Sequence, residues 1–330
     1  MSHPSPLWKP SASLAQLQIR ATVLAQIRTF FARRNVLEVD TPLVCRSAAT
    51  DLTLHPIAVL YQSSAPLPND PYYLQTSPEY AMKRLLAAGY GSIYQIAKAF
   101  RGEESGRLHN PEFTLLEWYR VGFDLHALMD EVDDLLALIL GTPKARRLSY
   151  ETLFRDKLGI DPHHTTVQTL AACAETHHIQ LSTLAAQDLD VDAWLDILMT
   201  HCIEPTLGFD RPVLIDDYPA SKAALATLRK REDGVEVAER VEVYVRGIEL
   251  ANGYHELRDA TVQGQRFKAD CVRRAQTGLP AIPIDPYILE ALEAGLPACA
   301  GIALGLDRLL LLKEGLQDLS ETLSFGIERV

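Results

Sequence analysis

Cysteine is scarce in this chain: five residues among 330, at positions 45, 173, 202, 271 and 299. They are odd in number, scattered and never arranged as C-x-x-C, which excludes a disulfide framework and a zinc ribbon and points to a reducing cytosol. Long apolar runs are also missing, so no segment reads as a membrane span, and the opening Met-Ser-His-Pro-Ser-Pro lacks a signal-peptide pattern. Basic blocks are absent too: 32 Lys and Arg face 43 Asp and Glu, a net charge of −11. That balance argues against a protein whose main task is gripping nucleic acid. The pairs His163-His164, His177-His178 and His201-Cys202 lack i, i+4 spacing, which argues against a metal site. What remains is an ordinary soluble composition, 47% hydrophobic and 23% charged, with ample chain for a large core.

The richest stretch runs from Phe100 to Phe113, Phe-Arg-Gly-Glu-Glu-Ser-Gly-Arg-Leu-His-Asn-Pro-Glu-Phe. It reads as strand, tight polar loop and strand, with Gly106, Asn110 and Pro111 suited to turn geometry. Arg101 and Glu103 are two apart, so a strand would project both from one face. On the returning strand Phe113, Leu115, Glu117 and Tyr119 share a face. Such a face suits a nucleotide, because Arg forks to phosphate oxygens and an aromatic ring stacks on a base. An ordinary hairpin with a solvated polar face would look the same.

Around it, residues 1–12 read as a loose arm and 13–34 as a helix capped by Ser13. Val36–Val39 reads as a short strand, and 51–61 and 72–75 as strands bracketing a Pro-rich loop. Ser77 as N-cap, Pro78 at the first helical position and Glu79 in the first turn start a helix over 80–88. Residues 124–140 form an amphipathic helix ending at Gly141, with Asp130, Glu131, Asp133 and Asp134 on a solvated stretch. Residues 142–210 read as an insertion with helices near 166–177 and 190–202. Glu239 to Gly253 reads as a hairpin turning at Arg246-Gly247, which opposes Tyr244 to Glu249 and sets Glu242 diagonal to Glu249. Two converging carboxylates need a compensating cation, and Mg²⁺ held with ATP phosphates is one; an exposed acidic hairpin is the plainer alternative. A polar helix over 260–277, a Pro-rich loop and a short helix over 287–294 follow. The chain closes on a glycine-bearing strand, with Gly301 and Gly305, entering an apolar helix near Asp307.

Phe100-Arg101-x-Glu103 followed by Asn110-Pro111-Glu112-Phe113 resembles motif 2 of class II aminoacyl-tRNA synthetases, the lysyl branch in particular. Arg34 through Pro42 resembles motif 1, and Gly301 to Arg308 resembles motif 3. The resemblance covers about residues 14–330. It implies an α+β fold, a mostly antiparallel sheet flanked by helices, in one catalytic domain that forms a homodimer. It implies that Arg101 grips the α-phosphate of ATP, that Glu103 faces the adenine amino group and that His109 or Arg107 reaches the outer phosphates. Phe113 and Arg308 would stack on adenine, Asn110, Leu250 and Gly305 would line the nucleotide, and Glu249 with Glu242 would hold Mg²⁺. For the amino acid it implies Ser77 and Glu79 near the substrate's amino group, Glu256 and Tyr119 on the ε-ammonium, and Ala303 in the pocket wall. Arg101 and Arg308 would be the catalytic pair, stabilising the charge that develops at phosphorus.

The motif 1 helix begins by residue 14, so no anticodon-reading barrel is expected. The chain therefore resembles the free-standing lysyl-tRNA synthetase paralogues that attach (R)-β-lysine to a lysine of translation elongation factor P. A truncated synthetase charging tRNA or another small RNA is the alternative, disfavoured by the acidic balance. A non-catalytic paralogue would be expected to lose ATP ligands, and a class II asparagine synthetase needs a cationic pocket where Glu79 and Glu256 suit an amine.

Overall fold

The computed structural model describes residues 6–60, 71–180 and 189–330. The chain divides into two compact units, one made of residues 1–123 with 257–330 and the other of 124–256.

The first unit begins with helix α1 (Leu14–Ala32), capped as expected by Ser13, whose hydroxyl accepts from the Gln16 N–H. Its buried stripe, Val23, Ile27, Phe30 and Phe31, is spaced for one helical face. Strands β1 (Leu37–Glu38), β2 (Val44–Cys45), β3 (Ala58–Val59) and β4 (Tyr72–Leu74) are short, the last three forming a small sheet. The strand expected over 51–61 is thus confined to two residues among those described, and the loop bracketed after it lies outside them. Helix α2 (Glu79–Ala87) precedes the long strands β5 (Ile93–Phe100) and β6 (Glu112–Val121), which pair antiparallel. Phe31 stacks on Tyr94 of β5, with ring centroids 4.4 Å apart, and so seats α1 on the sheet.

The second unit opens on α3 (Leu125–Leu140), capped by Asp124 and stopped by Gly141 in the left-handed conformation. Its acidic stretch is not uniformly solvated: Glu131 and Asp133 are buried. Asp133 accepts from the Ala145 N–H and, with Asp130, from Arg147, which makes burial of its charge tolerable. Strand β7 (Arg146–Ser149) leads into α4 (Tyr150–Leu158), α5 (Val167–Thr176) and α6 (Val191–Leu198), the helices expected of the insertion. They enclose a core that includes Tyr150, Phe154, Trp194, Leu195 and Leu198. Strands β8 (Val213–Asp216), β9 (Tyr218–Pro219), β10 (Leu228–Lys230) and β11 (Glu236–Ala238) precede the hairpin of β12 (Arg240–Val245) and β13 (Ile248–His255). β12 pairs antiparallel with both β13 and β8, and β8 pairs parallel with β7. Arg246 and Gly247 both have positive φ, 52° and 73°, as a two-residue hairpin turn with matching twist requires.

The chain returns to the first unit with α7 (Ala260–Gln276), α8 (Pro286–Gly295), β14 (Cys299–Gly305) and α9 (Leu306–Glu314). β14 lies antiparallel beside β6, so the order in this unit is β1-β5-β6-β14. The described part of the N-terminal arm, rather than lying loose, is tied down. The Ser11 and Ala12 N–H groups donate to the carbonyls of Ser324 and Leu323, and Arg329 donates to those of Pro6 and Lys9.

Candidate functional site

In the first unit β6 presents Phe113, Leu115, Glu117 and Tyr119 on alternate positions, as the strand period dictates. Register places Gln95 and Ala303 on either side of Glu117, and Ile93 and Gly301 on either side of Tyr119. Small side chains thus leave room above the sheet on the β14 side, where Ala303 and Gly305 remain partly exposed.

Glu117 is fully buried and accepts two short hydrogen bonds, from Tyr119 (2.6 Å) and from Ser77 (2.8 Å). The Ser77 hydroxyl also accepts from the Glu79 N–H, so it serves the helix start one residue earlier than a formal N-cap. Glu79 itself pairs with Lys83, 2.7 Å away and one helical turn on. Burial, and then the charge of Glu79, pushes the Glu117 carboxyl up to about 8. A buried carboxyl beside a second one is a site that gains from an arriving cation.

The nucleotide-type residues cluster along the β5–β6 loop and α9. Arg101 and Glu103 do not share a strand face: β5 ends at Phe100, and Glu103 takes φ +64° in the loop, exposed and 3.7 Å from His55. The loop is pulled off the strand by the Gly102 N–H, which donates to the His55 carbonyl at 2.6 Å. The Arg101 guanidinium lies over the Phe113 ring, 5.0 Å from its centroid, and 3.7 Å from Glu104. Arg308, on the first turn of α9, sends Nη2 to His109 Nε2 at 2.8 Å. Burial and the Arg308 charge lower the His109 pKa, which keeps its Nε2 an acceptor. Arg107 points elsewhere, donating to the Gln317 carbonyl. Asn110 serves the loop: its amide donates to the Glu112 carbonyl and accepts from the Ile327 N–H. Beside Arg308, Asp307 is buried against Arg20 (2.6 Å) and the Thr114 N–H (2.7 Å). That anchor, spanning the sequence from residue 20 to 307, was not visible in any local pattern.

In the second unit Tyr244 opposes Glu249, as the hairpin reading expects. A register shift between Val243 and Tyr244 then sets Glu242 opposite Asn252, so the diagonal relation to Glu249 is altered by a bulge. The compensating cation is Arg240. Its Nη2 reaches Glu242 Oε1 at 2.6 Å, while Tyr218 and Tyr244 donate to Oε2 at 2.6 Å each. With both oxygens so engaged, Glu242 does not fit as a magnesium ligand, which needs its carboxylate oxygens for the ion. Glu249, a partly exposed carboxylate, has the right chemistry for the ion. Among the described residues no group of three or more His, Cys, Asp or Glu is placed to hold a metal. Leu250 is buried in β13, and Glu256 is buried just beyond it, its backbone bridged to Ala226.

The sequence reading names Ser77, Glu79 and Tyr119, which the structure brings together around Glu117, but it passes over Lys83 and Arg240. Lys83 had a legible signal, an i, i+4 spacing from Glu79. Arg240 had one as well, its i, i+2 spacing from Glu242 on a strand.

Comparison with known proteins gives the same reading over nearly the whole length. The family of class II tRNA synthetases (D, K and N) matches residues 7–329. The elongation factor P--(R)-beta-lysine ligase of Vibrio cholerae is 48% identical over 322 residues, 98% of this chain and 98% of that protein. The ligases of the same name from Vibrio parahaemolyticus and Salmonella dublin are 48% and 47% identical, over 96% and 98% of this chain and 97% and 98% of theirs. With a sheet of mixed parallel and antiparallel strands flanked by helices and a family match from end to end, the chain belongs to the class II tRNA synthetases of the D, K and N type.

Proposed function

We propose that the chain is an ATP-dependent ligase that activates (R)-β-lysine, and α-lysine less well, and transfers it to a lysine side chain of translation elongation factor P. The observation that carries the reading is the match at 47–48% identity to ligases of that name, covering 96–98% of this chain and 97–98% of theirs. The buried Glu117 carboxyl beside the partly exposed Glu79 adds a chemical reason, since such a pair suits a substrate bearing an amine.

In the first step a substrate carboxylate oxygen attacks the α-phosphorus of ATP and pyrophosphate leaves. Arg101 and Arg308 stabilise the charge that develops on the phosphate oxygens, and Phe113 offers its ring to the base. In the second step the target lysine amine attacks the acyl carbonyl and AMP leaves. Neither step needs a protein nucleophile. Glu249 is the carboxylate suited to magnesium, which when bound offsets phosphate charge.

We assign Ser77 and Glu79 to the substrate's reacting end, Tyr119 and Glu256 to the ε-ammonium, and Ala303 to the pocket wall. Among the nucleotide residues, His109 lies beside Arg308, whereas Asn110 acts by shaping the loop. A homodimer through the motif 1 region is supported by the exposed apolar side chains of Leu14, Leu37, Leu43 and Val44. The acidic balance, −11, speaks against tRNA as the acceptor. No helix among the described residues is long and apolar enough to cross a membrane.

The test is pyrophosphate exchange with each lysine isomer, followed by intact mass of elongation factor P. Exchange that prefers β-lysine and a mass gain of one lysyl group are expected. No mass gain with any isomer overturns the assignment, and an aminoacylated RNA would replace it.

A further inference from the structure

Helix α2 buries three side chains, Met82, Lys83 and Leu86. Two of them join an apolar cluster with Ile93, Tyr119, Leu292 and Leu296. Lys83 sits between them at 2% exposure, a position where methionine would pack without desolvating an ammonium. Exchanging a buried ion pair for apolar side chains is often neutral or stabilising, so packing does not explain the lysine. Its neighbours do suggest a use.

Lys83 Nζ lies 2.7 Å from Glu79 Oε1, one turn back on the same helix. The Glu79 N–H is held by Ser77, whose hydroxyl donates to Glu117, whose other oxygen takes the Tyr119 hydroxyl. Two carboxyls are therefore held differently: Glu117 by two hydroxyls and Glu79 by an ammonium. The groups facing Glu117 are Glu79, Lys83, Tyr119 and Ser77, and burial with the Glu79 charge favours its protonated form.

We propose that Lys83 is a positioning residue for amino-acid activation, holding the Glu79 carboxylate in the one orientation that receives the substrate's amine. The inference rests on the assignment of Glu79 to the substrate's amino group. Without Lys83 the Glu79 side chain, 18% exposed, is released from its anchor and turns toward solvent. An amine held about 1 Å out of place costs activity even though every contacting residue is intact.

Lys83→Met, Glu79→Gln and the double variant are compared in pyrophosphate exchange, with thermal unfolding alongside. Lys83→Met should raise the KM for β-lysine roughly ten- to a hundredfold with the KM for ATP unchanged. In the Glu79→Gln background the same substitution should add nothing, because its route of action has gone. The melting temperature of the double variant, which removes both charges of the pair, should stay at or above that of the parent, which a merely structural lysine does not predict. A parental KM for β-lysine in Lys83→Met, or an equal loss in both backgrounds, overturns the proposal. Glu79→Gln with an unchanged KM for β-lysine would instead remove the reading of Glu79 itself, so the two failures are told apart. If Lys83→Met does not fold, Lys83→Leu carries the same expectations, since it too offers Glu79 no donor.

Discussion

A methyl group and a buried carboxyl face each other across two strands: Ala303 of β14 is the register partner of Glu117 of β6. Lysyl-tRNA synthetases commonly carry glycine at the matching position of motif 3. Here the added Cβ stands beside the carboxyl that accepts from Ser77 and Tyr119. In the proposed pocket β-lysine, with its amine one carbon along, avoids the methyl. Ala303→Gly should therefore improve α-lysine activation and narrow the preference for β-lysine, by the roughly tenfold or more that a methyl-sized change commonly carries. Measuring kcat/KM for both isomers in both proteins decides it, and an unchanged ratio would mean that Ala303 serves strand packing alone. Glu117 also gives a pH signature. Its carboxyl ionises near 8 when folded against 4.5 for the free side chain, so the folded state binds more protons between those values. That contribution to stability is complete below pH 4.5 and is lost as pH rises toward 8. Glu117→Gln removes the effect, so its melting temperature should fall less between pH 5 and 8 than the parent's, by roughly 2–6 °C. Parallel pH profiles would show that Glu117 is not buried in the protonated form.

At the scale of elements, glycines that share the left-handed backbone region differ sharply in what surrounds them. Gly208 has φ +74°, and a Cβ there would stand 2.6 Å from the Tyr244 carbonyl oxygen and 2.7 Å from Val245 Cα. Gly89 has φ +85° with nothing within 4 Å. Gly89→Ala should cost about 1–2 kcal/mol of backbone strain, whereas Gly208→Ala adds a collision with the β12 backbone and should cost more than ~3 kcal/mol. Equal losses in urea unfolding would show that the β12 edge yields. The hairpin that Gly208 supports was legible in outline, because Arg246-Gly247 fixes a two-residue turn and with it the pairing of Tyr244 and Glu249. The bulge two residues on was not legible, for no residue there demands it. The same division holds elsewhere. Ser13 and Gly141 announced their helix ends because caps are local chemistry. The burial of Asp133 and the departure of Arg101 and Glu103 from the strand depend on partners far away in sequence, Arg147 and His55. In the candidate site the motif residues were legible, whereas Lys83 and Arg240, which compensate the acids, were not read. They belong to no motif, and only their spacing from Glu79 and Glu242 marks them.

On the scale of the whole molecule, the first unit is assembled from the two ends of the chain, residues 1–123 and 257–330. Its integrity depends on polar ties between segments that are remote in sequence. Arg274 of α7 is buried and donates to the carbonyls of Asp51, Leu54 and Pro280. Arg20 of α1 joins Asp307 of α9 and the Thr114 hydroxyl of β6, at 2.6 and 2.7 Å. The Arg20 tie binds the helix of motif 1 to the residue that precedes Arg308, so it links the proposed dimer region to the proposed nucleotide residues. Replacing Arg20 by methionine leaves Asp307, 3% exposed, as a buried charge that keeps its Thr114 N–H but has lost its cation. Removing one partner of a buried pair typically costs about 3–5 kcal/mol, and the partial exposure of Arg20 places this case near the lower figure. Because the tie spans three segments, hydrogen exchange should quicken together in α1, β6 and α9. Pyrophosphate exchange should lose kcat more than amino-acid affinity, since Arg308 is the proposed phosphate-binding group nearest the break. Faster exchange confined to α1, with parental kcat, would show that Arg20 only fastens its own helix and that Asp307 holds Arg308 without it.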